Sequence, residues 1–124
     1  MREQLLTNKE YQALISHEPI TIKGDWQSKL VQINNVPLSS QYSQSIQNHS
    51  PDGFNWGYGG SGPAQLALAI MLHLLKDLEH GERLAQVLYQ RFKWDYIATW
   101  PSNNIRITIE DIGVWFKERL VRYK

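Results

Sequence analysis

Cysteine is absent from the 124 residues, which excludes disulfides, thiolate zinc sites and cysteine nucleophiles. A surplus of charge is absent too: 13 Lys and Arg against 12 Asp and Glu leave a formal net charge of +1. Such a chain carries no broad field to draw in nucleic acid or an anionic membrane, so neither is an expected partner. A membrane-spanning helix needs about 20 apolar residues, and the longest apolar run here, Leu66 to Leu72, stops at His73. The histidines (His17, His49, His73 and His80) are scattered, with no pair three or four apart as helical metal ligands stand. No metal and no cofactor is expected. The opening Met1-Arg2-Glu3-Gln4 lacks the apolar stretch of a secretory leader, and the cytoplasm is the expected location. Neither an internal repeat nor a linker divides the chain, so residues 1–124 are expected to form a single domain.

What is present is bulk. Apolar residues make up 42% of the sequence and include five tryptophans, enough to build a core and to exclude disorder of the chain's body. Thr7-Asn8-Lys9-Glu10 is a capping box that predicts a short helix ending at Pro19. Ile20 and Ile22 alternate with polar neighbours at a strand period, and Lys29 to Ile33 reads as the partner strand. Asn34-Asn35 is hairpin-turn chemistry, followed by Val36-Pro37-Leu38 as an edge strand. Ser39 to Asn48 is polar and weakly periodic, readable as part of a long loop or as a short polar helix around Gln41–Gln47.

Gly62-Pro63 opens a helix that is apolar nearly all round, the expected spine of the domain. A second helix is predicted over Glu82–Phe92, with Leu84, Val87, Leu88 and Phe92 on one stripe. Asp95 to Trp100 is β-prone, and Ile105 to Ile107 is a further short strand. Thr108-Ile-Glu-Asp111 is a second capping box, predicting a final helix whose inner face runs from Ile109 through Ile112, Phe116 and Leu120 to Tyr123. The fold class expected is α+β, a small antiparallel sheet packed on a buried central helix with two or three amphipathic helices.

Five of the eight glycines fall between Gly53 and Gly62, interleaved with Phe54, Trp56 and Tyr58 and leading straight into the central helix. Glycine loses more backbone freedom on folding than any other residue, so this density needs either positive φ or a close approach to the main chain. Amide groups at a helix N-terminus form an anion site. Yet Gly57-x-Gly59-Gly60-x-Gly62 follows no buried strand, as a dinucleotide fingerprint must, and Pro63 stands where a phosphate-binding loop carries lysine. Packing of the loop under its own aromatic rings is the alternative. Ser61 sits in an imperfect nucleophile elbow, with Pro63 in place of the second glycine, and capping of the helix is its other available task. His49 has the pKa of a general base, while Ser50-Pro51-Asp52-Gly53 meets the preferences of an ordinary β-turn. The cations Lys117, Arg119, Arg122 and Lys124 suit a helix C-terminus.

The stretch Ser50-Pro-Asp-Gly-Phe-Asn-Trp-Gly-Tyr-Gly-Gly-Ser-Gly-Pro-Ala-Gln-Leu-Ala-Leu-Ala69 closely resembles the hallmark of a family of small bacterial proteins of unknown function, carried on chromosomes, plasmids and phages. Tyr89-Gln-Arg-Phe-Lys93 is similar to that family's second block, and the hairpin over 29–38 to its upstream strand pair. The resemblance covers residues 20–120 and leaves 1–19 as an N-terminal helical addition. It implies a pocket at the motif, and carriage on mobile elements implies a role in conflict between element and host.

Together these readings give a leading expectation of a non-catalytic binding protein for a small polar or anionic ligand. Phe54, Trp56 and Tyr58 would supply apolar contacts, the amides of Gly59, Gly60 and Ser61 the polar ones, with His49 and Gln65 as side-chain partners. A protein-interaction module with Trp26, Trp94 or Trp100 exposed, such as an inhibitor encoded by a mobile element, is the alternative. A hydrolase acting through His49 or Ser61 stands last.

Overall fold

A computed structural model describes residues 2–4 and 19–123, and the helix expected after Thr7 lies outside them. Contacts gather into two compact units, residues 22–107 and residues 1–21 with 108–124. Among the described residues the fold is α+β, with a small antiparallel four-stranded sheet and four helices.

Strand β1 is Arg2–Gln4, β2 Ile20–Gly24, β3 Val31–Ile33, β4 Val36–Pro37 and β5 Ile105–Ile109. The sheet runs in the order β4-β3-β2-β5. Its alternation follows the period-two rule, with Ile22, Val31 and Ile33 buried and Gln32 exposed. Asn34 and Asn35 both adopt positive φ, 47° and 67°, the pair of left-handed residues that a two-residue hairpin turn requires. They set the register Ile33↔Val36 and Gln32↔Pro37. Pro37 lies on the sheet's edge, where its missing N–H costs no ladder bond.

Helix α1, Gln41–Ile46, occupies part of the polar stretch, so the short-helix alternative holds there and not the loop. Helix α2, Ser61–Leu74, is buried continuously from Gly62 to Leu72, as an all-round apolar sequence requires. Helix α3, Gly81–Asp95, packs extensively against α2. Its inner face is Leu84, Ala85, Leu88, Tyr89 and Phe92, whereas Val87, expected inside, is exposed. The face is rotated because the stripe follows i, i+1, i+4, i+5, which takes in Ala85 and Tyr89 and turns Val87 outward. Instead of a strand after Asp95, a 3₁₀ turn spans Ile97–Thr99, with Ile97 buried at its start and Trp100 buried just after it. Burial of these two large side chains outweighs the β propensity of the segment.

The second unit corrects the last helix. Thr108 belongs to β5, and its hydroxyl lies 3.3 Å from that of Thr21. This cross-strand threonine pair displaces the expected capping box. Helix α4 therefore begins at Ile112 and runs to Leu120, with the Trp115 amide donating to the Asp111 carbonyl. Strand β6, Val121–Tyr123, then pairs antiparallel with β1, so Tyr123 leaves the helical stripe. Ile109, Ile112, Trp115 and Phe116 are buried, the last two in an edge-to-face pair at 5.4 Å.

Candidate functional site

The connection from α1 to α2 begins with a tightly bonded segment. Ser50-Pro51-Asp52-Gly53 closes as a turn, with the Gly53 amide donating to the Ser50 carbonyl at 3.2 Å. Above it, Gln65 on the first turns of α2 is fully buried. Its Oε1 accepts from the amides of His49 (2.7 Å) and Ser50 (3.0 Å), and its Nε2 donates to Ser43 Oγ (2.9 Å) and the Gln47 carbonyl (3.2 Å). All four hydrogen-bonding positions of the amide are thus filled from within the chain. Gln65 is a clamp that ties α1 and the approach to the turn onto α2.

The next residues anchor the connection. Phe54 and Trp56 are buried, Trp56 completely, and the Trp56 indole Nε1 donates to the Asn103 carbonyl at 2.9 Å. Trp26 meets the Trp56 ring edge-on at 5.5 Å. Gly57 has φ +87° and its amide donates to the Ile97 carbonyl, while a Cβ there would stand 2.9 Å from Ser102 Oγ. Glycine is required at 57 on both counts.

From Tyr58 onward the chain comes to the surface. Tyr58 and Trp94 are about half exposed, at 48% and 56%. A Cβ on Gly59 would run into the Trp94 indole, and one on Gly60 into the Tyr58 ring, so each ring closes over one glycine of the pair. Gly60 is the N-cap of α2 and Ser61 its first residue. Ser61 therefore makes no side-chain cap, contrary to the capping expected of it, because the helix begins two residues before Pro63. No acidic side chain lies in that first turn to complement the helix's positive end.

Lys93, on the inner face of α3, completes the arrangement. It is 7% exposed, and its ammonium donates to the Gly59 carbonyl at 3.4 Å, its one hydrogen bond among the described residues. The same nitrogen stands 4.3 Å from the centroid of the Trp94 ring. One turn earlier on the same face, the Tyr89 hydroxyl lies 2.8 Å from His49 Nε2. Burial, and next the Lys93 charge, hold the His49 imidazole below its ordinary pKa, so it is neutral near pH 7.

Of the eight residues expected to bind, the structure gathers Tyr58, Gly59, Gly60 and Ser61 at one exposed place. Phe54 and Trp56 are spent in the interior, and Gln65 is saturated by internal bonds. His49 gives its amide to Gln65 and its ring to Tyr89. Among the described residues no hydrogen bond links His49 with Ser61, so the two are not joined as base and nucleophile. Trp100 is buried and Trp26 half-buried, which leaves Trp94 as the exposed tryptophan of the three named. Lys93 was not among the expected residues. Its signal was its spacing, four residues after Tyr89 and one after Phe92, on the face that α3 turns inward.

A family model for DUF6166, a family of unknown function, matches residues 22–118. The chain belongs to that family. Within this DUF6166 chain the matched span takes in the whole glycine-rich connection, the Gln65 clamp and Lys93. No curated protein and no solved structure matches the chain. Among the described residues no group of three His, Asp or Glu side chains is assembled to hold a metal ion, and no helix is long and apolar enough to cross a membrane.

Proposed function

We propose that this chain is a non-catalytic binding protein that holds a small anionic ligand where the glycine connection enters α2. The observation that carries the reading is Lys93. Its stem is buried, and among the described residues its ammonium meets one carbonyl at 3.4 Å and the Trp94 ring at 4.3 Å, which leaves donors for an anion. The positive end of α2, with no carboxylate in its first turn, lies on the same connection and favours the same sign of charge. Tyr58 and Trp94 offer ring faces beside it to a planar or apolar part of the ligand.

Native mass spectrometry of protein purified from its own host tests for a retained small molecule. Calorimetric titration with inorganic phosphate and adenosine monophosphate tests the site itself. Lys93→Met is expected to lose binding of both by tenfold or more, about 1.4 kcal/mol, while the fold stays intact. The His49 imidazole, followed by NMR, is expected to rise in pKa as phosphate neutralises the nearby positive charge. Equal binding by the parent and Lys93→Met overturns the reading.

A second reading has one observation in its favour, the exposure of Tyr58 and Trp94 beside each other's glycine. It is a protein-binding surface, such as that of an inhibitor encoded by a mobile element. Capture of a host protein that survives Lys93→Met but is abolished by Trp94→Ala selects it.

A further inference from the structure

A cavity of about 320 Å³ opens between α1, the end of the β4 hairpin and the C-terminal half of α2. Its walls are apolar: Pro37 and Leu38 on one side, Ala69 and Leu72 on the other. The hydroxyls that border it are already engaged. Ser39 Oγ accepts from the Gln41 amide, Ser43 Oγ donates to the Ser40 carbonyl, and the Tyr42 hydroxyl donates to Glu82 Oε2 at 2.9 Å. Two polar lining groups remain without a hydrogen bond among the described residues, the His73 imidazole and the Lys76 ammonium.

His73 is the one basic residue in the last turn of α2, and an imidazole on so apolar a helix needs a reason. We infer that this cavity binds a small carboxylate with an apolar tail, the tail between Leu38 and Leu72 and the carboxylate on Lys76 and His73. The size is that of a short fatty or aromatic acid, within the range of ordinary ligand pockets. The sign follows from the lining, which contains two unspent cationic or donor groups and no carboxylate. Of the acids, Asp77, next to Lys76 in sequence, acts on His73, and Glu82 is occupied by Tyr42. Burial, and next the Lys76 charge, hold the His73 pKa below its ordinary value. A bound carboxylate reverses that pressure and draws a proton onto the ring. The site is separate from the glycine connection and stands whether or not that reading does.

The test is NMR titration of the isotopically labelled full chain with octanoate, alongside octylammonium and octanol. Octanoate is expected to give saturable shifts at Leu38, Ala69 and Leu72 and to raise the His73 pKa. Octylammonium is expected to give neither. Lys76→Gln and Lys76→Glu alter an exposed side chain and keep the fold, which the amide fingerprint verifies. They are expected to weaken octanoate by about tenfold or more, whereas Lys93→Met leaves it unchanged. Equal affinity for octanoate, octanol and octylammonium makes the cavity a merely greasy crevice and overturns the proposal. So does absence of saturation by about 10 mM, or shifts that ignore both Lys76 variants.

Discussion

Gln65 and Lys93 are both buried polar side chains that reach the same connection, and they end differently. Gln65 arrives with two acceptor positions and two donors and finds a partner for each. Lys93 arrives with a full charge and three donors and finds one carbonyl at 3.4 Å and a ring face. Buried polar networks stabilise when complete and are costly when partial. The contrast therefore separates the half of the connection whose polar groups are all bonded internally from the half where donors remain and binding is proposed.

The largest effect is expected from breaking the complete half. Gln65→Leu leaves the amides of His49 and Ser50, the Ser43 hydroxyl and the Gln47 carbonyl without their partner. Urea denaturation should register a loss of about 2–5 kcal/mol, at about 1–3 per buried group stranded and some rescued by water. Lys93→Met goes the other way. Replacing a largely buried lysine that makes one long hydrogen bond by an apolar chain of similar length should leave stability unchanged or raise it by about 1 kcal/mol, even as the proposed anion binding is lost. A fall as large as that for Gln65→Leu would show that Lys93, too, is structural.

Acid sharpens the comparison further. His49 and His73 both have folded pKa values below the ordinary 6.5. The unfolded chain therefore takes up protons first. The stability they contribute is present above about pH 6.5 and declines as the pH falls through that value. The melting temperature should drop between pH 7 and pH 5, and His49→Gln should flatten part of that slope. The smallest effect belongs to the exposed rim. Trp94→Ala removes a half-exposed ring and should change stability by no more than about 0.5 kcal/mol, while the Gly59 and Tyr58 resonances shift.

Much of the framework was legible because local chemistry and tertiary demand agree. Asn34-Asn35 wants left-handed φ and the hairpin needs it, the Ser50–Gly53 turn closes as its residue types require, and α2 is buried as its all-round apolar sequence demands. Thr108 misled because its capping signal is local, whereas the strand pairing that claims it comes from Thr21, 87 residues away. Ser61 misled because Pro63 is tolerated anywhere in the first helical turn, so it does not fix where the helix begins. At the candidate site, the glycines announced themselves but their partners did not. Phe54 and Trp56 look like stacking platforms in one dimension, and only the Asn103 carbonyl, 47 residues on, takes the Trp56 indole into the interior. Lys93 was hidden by the ordinary rule that lysine faces water.

That same indole bond sets an order of events. The shape of the glycine connection depends on a carbonyl that leaves the ribosome 47 residues after Trp56. Until then the connection can sample many paths, because contacts distant in sequence close late. Once Asn103 arrives, Trp56 is drawn home and Gly57 is held against Ile97. The anion binding proposed for this surface is thus expected only of the finished chain, and a nascent fragment ending short of residue 103 is expected not to bind phosphate.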